Sequence, residues 1–301
     1  MYIGLDIGFT KINSVLMKGD RIILKRKVAT KSLSNRKIII AQIFDCINYL
    51  IRDVNKKQIK GIGIGVPGPV DFKKQRIFNI TAFKNIALAK IVQRQFKIKA
   101  KVDNDVNCFG LAESILGAGK GVEVLIGLTL GTGLGGAIVI NGEIFRGISG
   151  SAGEFGPMII DKNGRKPGRK SDGGRLQNRG GLENHVSAKG IVKTAKEIGC
   201  KGVNVKEIGH MANSGNKKAI KVFQITGEYL GIGLANIVNI LNPSIIVIGG
   251  GIADNNKFIF SPARKIMKKL IISPLAKNTK VNKAKFGEDS GAIGAALLFY
   301  P

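Results

Sequence analysis

An Asn-Asp pair, set between two distant glycine-rich turns, carries the chemistry that can be read from this sequence. Asn104-Asp105 follows an apolar strand and opens a helix, a place where a carboxylate faces a cleft. The turns are Asp6-Ile7-Gly8-Phe9-Thr10-Lys11 and Gly131-Thr132-Gly133-Leu134-Gly135-Gly136. An apolar run enters each turn and another leaves it, which describes a β-hairpin. Dinucleotide and P-loop sites need a helix after the glycines. Backbone N–H groups bared at such hairpin turns form nests that suit phosphate oxygens. Gly8, Thr10, Lys11, Gly131, Thr132 and Gly133 are thus candidate phosphate contacts, although either turn alone reads slightly better as ordinary hairpin chemistry. Two of them around one carboxylate point to a nucleotide gripped from both sides. Asp105 is then the candidate general base for a hydroxyl, with a helix N-cap as the bland alternative. Asp6 is the candidate that orients Mg²⁺ through water, since Mg²⁺ keeps several waters and shares substrate phosphates; the alternative is a turn-stabilising Asp.

The elements that must position these residues repeat. Met1 to Ile7 and Lys11 to Met17 read as a hairpin, and Arg21 to Ala29 as a third strand. Ile40, Phe44, Ile47 and Ile51 recur at helical spacing, which predicts an amphipathic helix over Lys37 to Asn55. Gly61 to Val66 alternates glycine with apolar residues, as a buried strand does when something packs closely on it. Ala87 to Gln95 reads as a helix, Lys99 to Val102 as a strand and Asn107 to Leu116 as a helix. From about Gly119 the pattern restarts with strands at Val124 to Leu130, Gly136 to Ile140 and Glu143 to Arg146. Helices follow at Val186 to Ile198, Val205 to Ala212 and Lys217 to Leu241, and a buried strand at Ile245 to Ile248. The order βββ-α-β-α therefore occurs twice, which implies a duplicated α/β fold with a cleft between its halves. The expected domains are 1–117 and 118–301, with a closing helix near 289–301 packing back on the first. Asp161 to Gly181, rich in Gly, Arg and Lys, reads as a mobile surface loop.

Composition narrows the class. The 301 residues, 44% apolar with 8 Pro, can build sizeable cores. Cys46, Cys108 and Cys200 stand too far apart for a disulfide framework or zinc knuckle, which fits a reducing cytoplasm. No signal peptide is read at the N-terminus, and Leu230 to Ala253, holding three Asn and a Pro, argues against a membrane span. The net charge of +28 leaves nucleic acid or polyphosphate open as partners. Neither is favoured, because the lysines are scattered and no aromatic-interleaved reading motif accompanies them.

Taken in order, the motifs resemble the ROK family of sugar kinases, within the actin-like ATPase superfamily. Asp6-x-Gly8-x-Thr10-Lys11 and Leu130 to Gly136 match its two phosphate motifs, and Gly65 to Asp71 its Pro-Gly sugar-side loop. Asn104-Asp105-Val106-Asn107 with Ala112-Glu113 matches the catalytic segment. Gly150 to Gly156 and Gly181-Leu182-Glu183 match the sugar-binding segments; Asn242-Pro243 with Gly249-Gly250-Gly251 the adenosine loop; and Gly291 to Ala296 the closing helix. The resemblance implies two ribonuclease H-like domains and an ATP-dependent hexokinase, most like a glucokinase. In that enzyme Asp105 is the base; Gly68, Asn79, Asn104, Glu154 and Glu183 contact the sugar; and Gly249, Gly250 and Gly251 approach adenine and ribose. It also implies a homodimer. Two departures stand out. The family usually has His after Glu-x-Gly, where this chain has Pro157, and no Cys lies between Ser171 and Gly181. No zinc site is expected for that reason, and the choice of sugar stays open. His185, two residues after Glu183, reads as a surface helix residue.

Three rivals remain at this level. The acceptor could be an N-acetylhexosamine or fructose. The donor could be polyphosphate, held by Arg165, Lys166, Arg169, Lys170, Arg175 and Arg179. Alternatively the chain could be a non-catalytic sensor or basic nucleic-acid-binding protein on a kinase fold. Many family members are repressors with an N-terminal helix-turn-helix, whereas this chain opens directly on the first strand.

Overall fold

The computed structural model describes residues 1–78, 80–84, 86–164 and 179–300. The chain forms two compact units. One holds Met1–Val122, Ala137–Ala152 and Ala284–Pro301; the other holds Glu123–Gly136 and Gly153–Lys283.

The first unit is built on a sheet of order β3-β2-β1-β4-β7, with β1 Tyr2–Ile7, β2 Lys11–Lys18, β3 Arg21–Ala29, β4 Gly61–Val66 and β7 Ala100–Asn104. The first three strands form an antiparallel meander, and β4 and β7 join in parallel. Between β4 and β7 a small ribbon pairs β5 Val70–Asp71 with β6 Arg76–Ile77. One sheet face is covered by α1 Arg36–Ile51 and α2 Leu88–Phe96. Ile39, Ile43, Ile47 and Leu50 recur every three to four residues along α1, so burying that stripe fixes its face, and Asn35 caps its start.

The opposite face carries α3 Asp105–Ile115 and α9 Ser290–Leu297. Here the alternating glycines of β4 find their reason. A Cβ on Gly63 would lie 1.7 Å from the Ala295 carbonyl oxygen, and one on Gly4 of β1 1.9 Å from that of Ala292. The small residues of α9 therefore press directly on the backbone of β1 and β4. Buried Glu113 of α3 secures the approach to α9, accepting from the backbone amides of Lys285 and Phe286 and from the Ser290 hydroxyl.

The second unit repeats the plan. Its strands belong to a sheet of order β10-β9-β8-β11-β12, with β8 Val124–Leu130, β9 Leu134–Ile140, β10 Glu143–Ile144, β11 Ile245–Gly249 and β12 Lys280–Lys283. The chain crosses the division along β9, after Gly136. Around β8, β11 and β12 stand α4 Glu183–Val186, α5 Ala188–Glu197, α6 Val205–Asn213, α7 Lys217–Leu241 and α8 Asn256–Leu270. Gly227 and Gly231 let α7 meet α8 closely, since a Cβ on either would lie 2.4 or 2.6 Å from a carbonyl oxygen of α8.

The expected duplication is therefore present, and α8 and β12, which the sequence reading passed over as it did β5 and β6, complete the second repeat. The predicted helix over Val186 to Ile198 is two helices, parted at Ser187, which caps α5. No helix among the described residues is long and apolar enough to cross a membrane.

Candidate active site

Asp105 is the first residue of α3, directly beyond β7. The capping task falls to its neighbour. Asn104 Oδ1 accepts from the Val106 and Asn107 amides at 2.9 and 3.1 Å. Its Nδ2 donates to the Gly68 carbonyl and to Asp105 Oδ1, both at 3.1 Å. Asn104 thus spends its whole amide on shaping the corner and holding the Pro-Gly loop. Asp105 Oδ1 also accepts from the Val106 amide at 2.9 Å, and no hydrogen bond among the described residues engages Oδ2. Burial, and after it the charge of Asp6, push the Asp105 carboxyl up to about 7. A carboxylate that gains its proton near neutrality is well matched to general base work.

Asp6 lies at the end of β1, where the first hairpin turns. Burial raises its carboxyl to about 6, against an opposing pull from Lys11. A Cβ on Gly291, at the start of α9, would lie 2.5 Å from Asp6 Oδ2, so only glycine leaves room for the carboxylate there. The Gly8 amide closes the turn onto the Lys11 carbonyl at 2.9 Å, and the Thr30 hydroxyl braces the Gly8 carbonyl at 2.8 Å. Gly8 therefore shapes the nest, and the exposed Phe9 and Thr10 form its rim. The Lys11 ammonium is held 2.6 Å from Glu288, which Lys11 and Lys27 together draw down to about 2.

In the second unit the other turn is knotted to Glu183. The Gly131 amide closes onto the Gly133 carbonyl at 2.9 Å, as Gly8 closes onto Lys11, and the Gly131 carbonyl accepts from Ala188 at the head of α5. Glu183 Oε2 accepts from the Leu134 amide at 2.9 Å, and a Cβ on Gly133 would lie 2.6 Å from that oxygen. The Glu183 amide in turn bonds the Gly156 carbonyl at 2.9 Å, which ties the Gly153–Gly156 segment to the same knot. Glu154 belongs to that segment; desolvation, then the nearby Glu183 charge, raise its carboxyl above the ordinary value. Two like-charged carboxylates on one knot suit a partner rich in hydroxyl donors.

The third glycine cluster follows β11. Gly250 has φ +87°, and a Cβ there would lie 2.2 Å from the Leu130 carbonyl, so the backbone itself demands glycine. Gly131 and Gly251 differ. Neither has a positive φ, and a Cβ on either would meet nothing within 4 Å. The fold does not need glycine at these two positions, whereas a ligand approaching the backbone would.

The ROK family matches residues 2–300 of the chain. The chain belongs to that family. A glucokinase of Halalkalibacterium halodurans is 30% identical, with 99% of this chain and 94% of that protein aligned. An N-acetyl-D-glucosamine kinase of Histophilus somni is 30% identical, with 99% of each aligned. Among solved structures, a ROK family glucokinase from Streptomyces griseus, in complex with glucose and AMPPNP, superposes with a TM-score of 0.81 at 28% identity, covering 99% of this chain and 98% of that one. The fold of this ROK protein is accordingly the mixed α/β, two-domain fold of the actin-like ATPases.

The first unit brings together Asp6, Asp105, Asn104 and the Gly68 loop, and the second gathers Gly131 to Gly133, Glu154, Glu183 and Gly249 to Gly251. Asn79 lies outside the described residues, as do Arg165, Lys166, Arg169, Lys170 and Arg175 of the basic loop; the Arg179 guanidinium donates to the Gly164 carbonyl at 3.2 Å. His185 is not a surface residue: it is buried and stacked on Tyr229 of α7, with ring centres 3.9 Å apart. Sequence reasoning missed Asp103 and Arg146, which are paired beneath the Asn104-Asp105 corner. An acidic residue directly before Asn-Asp was the one available signal.

Proposed function

We propose that this ROK protein is an ATP-dependent hexokinase that transfers the γ-phosphoryl group of Mg-ATP to the 6-hydroxyl of a hexose, glucose first among them. The observation that carries the reading is the Asp105 carboxylate, relieved of capping by Asn104 and raised to about 7. Asp105 takes the hydroxyl proton as the oxygen attacks the γ-phosphorus, and the bond to the ADP oxygen breaks. Glu154 and Glu183 accept from sugar hydroxyls, and the Gly68 loop, with Asn79, borders the sugar. Asn104 acts on the sugar through that loop. The rims of the two hairpin turns donate to the phosphates, and Gly251 leaves its backbone open to the adenosine.

The metal fits the donor set. Asp6 and Asp105 are two carboxylates whose protons are held by burial and, for Asp105, by the charge of Asp6; a hydrated dication relieves such crowding. Among the described residues no three His, Cys, Asp or Glu are placed to hold a metal ion together, so Mg²⁺ would complete its shell with water and phosphate oxygens. Asp6 would hold it through water, and when bound it would neutralise charge on the phosphates. By family resemblance the enzyme works as a homodimer, and its three free cysteines fit a reducing cytoplasm.

Pro157 supports a second acceptor class, the N-acetylhexosamines, because the sugar contact usual at that position is absent. ADP release measured across hexoses and N-acetylhexosamines, with ATP or polyphosphate as donor, tests both readings. Glucose with ATP should give the highest kcat/KM. Faster transfer to an N-acetylhexosamine would select the second acceptor, and faster transfer from polyphosphate would displace ATP. No sugar-dependent release with either donor would overturn the kinase reading.

A further inference from the structure

We propose that Arg146 is a positioning residue: its guanidinium fastens the sugar-side loop to the corner that carries Asp105, so acceptor binding and base orientation are set together. The inference rests on the kinase reading above. All the contacts lie within the first unit.

Arg146 Nε and Nη2 donate to Asp103 Oδ2 at 2.8 and 2.7 Å, and Nη1 donates to the Ile144 carbonyl at 3.2 Å. Asp103 is 1% exposed, so the carboxylate end of this pair is shielded from water while the guanidinium is partly exposed. The other carboxylate oxygen, Oδ1, accepts from the Asn104 amide at 2.7 Å and from Asn107 Nδ2 at 2.9 Å. One carboxylate therefore translates the position of Arg146 into the position of the residue that caps α3 and touches Asp105.

Cζ of the same guanidinium lies over the Phe72 ring, 3.9 Å from its centre. Phe72 follows the Gly65 to Asp71 loop, and that loop is tied to β7 twice more. Gln75 donates to the Phe72 carbonyl at 2.7 Å and accepts from the Val102 amide at 2.7 Å, filling the free edge of β7. Asn104 donates to the Gly68 carbonyl at 3.1 Å. The chain beyond Arg146 lies on the loop as well: a Cβ on Gly150 would be 2.5 Å from the Val70 carbonyl. Asn104 joins loop and corner from within the corner itself; Arg146 joins them from outside it, meeting the loop at the Phe72 ring and the corner at Asp103 through its charged fork. A lysine can keep the charge, but it has neither the fork nor the planar face.

Arg146→Lys tests this, with KM for sugar and for Mg-ATP measured separately. The expected result is a kcat loss of roughly 10- to 100-fold, as misplaced catalytic groups give, together with a sugar KM raised at least about threefold and a Mg-ATP KM unchanged. A purely structural role would lower the active fraction and leave both KM values at parental levels, which would overturn the proposal. Phe72→Leu removes only the stacked ring and keeps the Asp103 pair, so it serves if Arg146→Lys fails to fold. It should raise the sugar KM with Mg-ATP KM unchanged, and a parental sugar KM there would equally overturn the proposal. Amide hydrogen exchange gives a readout that needs no activity. Val102 and Asn104 should exchange faster in either variant while Ile3 and Leu5 of β1 do not; unchanged exchange at Val102 and Asn104 would contradict the link. Parent protein without turnover on any sugar would count against the kinase reading instead.

Discussion

Replacing Asp105 with Asn should stabilise the folded protein at pH 8 and change it little at pH 4. The Asp105 carboxyl is raised from an ordinary 3.8 to about 7, by burial first and by Asp6 second. The native state thus binds this proton more tightly than the unfolded chain does. Its favourable contribution is complete below about pH 4 and is lost as pH rises through about 7. Each unit corresponds to about 1.4 kcal/mol, so ionised Asp105 costs the native state up to about 4 kcal/mol at pH 8. Part of that cost is shared with Asp6, so about 2 to 4 kcal/mol is the expected gain on removing the charge. Asn keeps an Oδ1 to accept from Val106 and Asn104, so the corner survives. At about 2 °C per kcal/mol for a chain of this size, Tm should rise by roughly 5 °C. The chain has no Trp, so far-UV circular dichroism of nucleotide-free, metal-free protein is the natural probe. The difference between variant and parent should open between about pH 4 and 7 and then stay level. A difference that does not vary with pH, or a variant less stable at pH 8, would refute the reasoning.

Other outcomes follow from the same geometry. In the parent enzyme, kcat/KM should fall about tenfold per unit on the acid side of about pH 7, because the base must be ionised; a rate level down to pH 5 would remove Asp105 from that role. Gly291→Ala brings a Cβ to within 2.5 Å of Asp6 Oδ2, so it should weaken Mn²⁺ binding to the enzyme–AMPPNP complex and lower kcat, both of which a titration and an ADP assay would show. Glu183→Ala leaves the Leu134 amide without its partner, at a cost of about 1–3 kcal/mol, and should bring the Glu154 carboxyl closer to its ordinary value in an NMR titration. Glu288→Gln should lower stability by no more than about 1 kcal/mol in denaturant melts, because the ion pairs with Lys11 and Lys27 are largely exposed and screened by water.

Local pattern made much of this molecule legible. The two hairpin turns, the glycine-lined strand β4 and the βββ-α-β-α repeat are periodicities and turn signals that short windows carry. The glycines of β4 announced a close neighbour, and α9 is that neighbour. Helix α8 was missed because Pro262 interrupts its pattern. Strand β12 was missed because three of its four residues are polar and only Val281 is buried. At the site, Asn104 and Asp105 were readable as a strand-to-helix corner, but which of the two caps the helix depends on side-chain geometry. The pair of Asp103 with Arg146 joins residues far apart in sequence, and His185 is buried and stacked on Tyr229 of α7, 44 positions further along the chain. Charge and polarity suggest the surface for such residues, and tertiary packing overrides them.

The central claim is that Asp105 accepts the proton of a sugar hydroxyl in phosphoryl transfer. The most direct measurement is a single-turnover transfer of labelled γ-phosphate from Mg-ATP to glucose, comparing the parent with Asp105→Asn at pH 8, where both are folded. The account predicts glucose 6-phosphate from the parent and a rate lower by roughly 10²–10⁴-fold in the variant, with AMPPNP and sugar still bound. Transfer by the variant at the parental rate would contradict it.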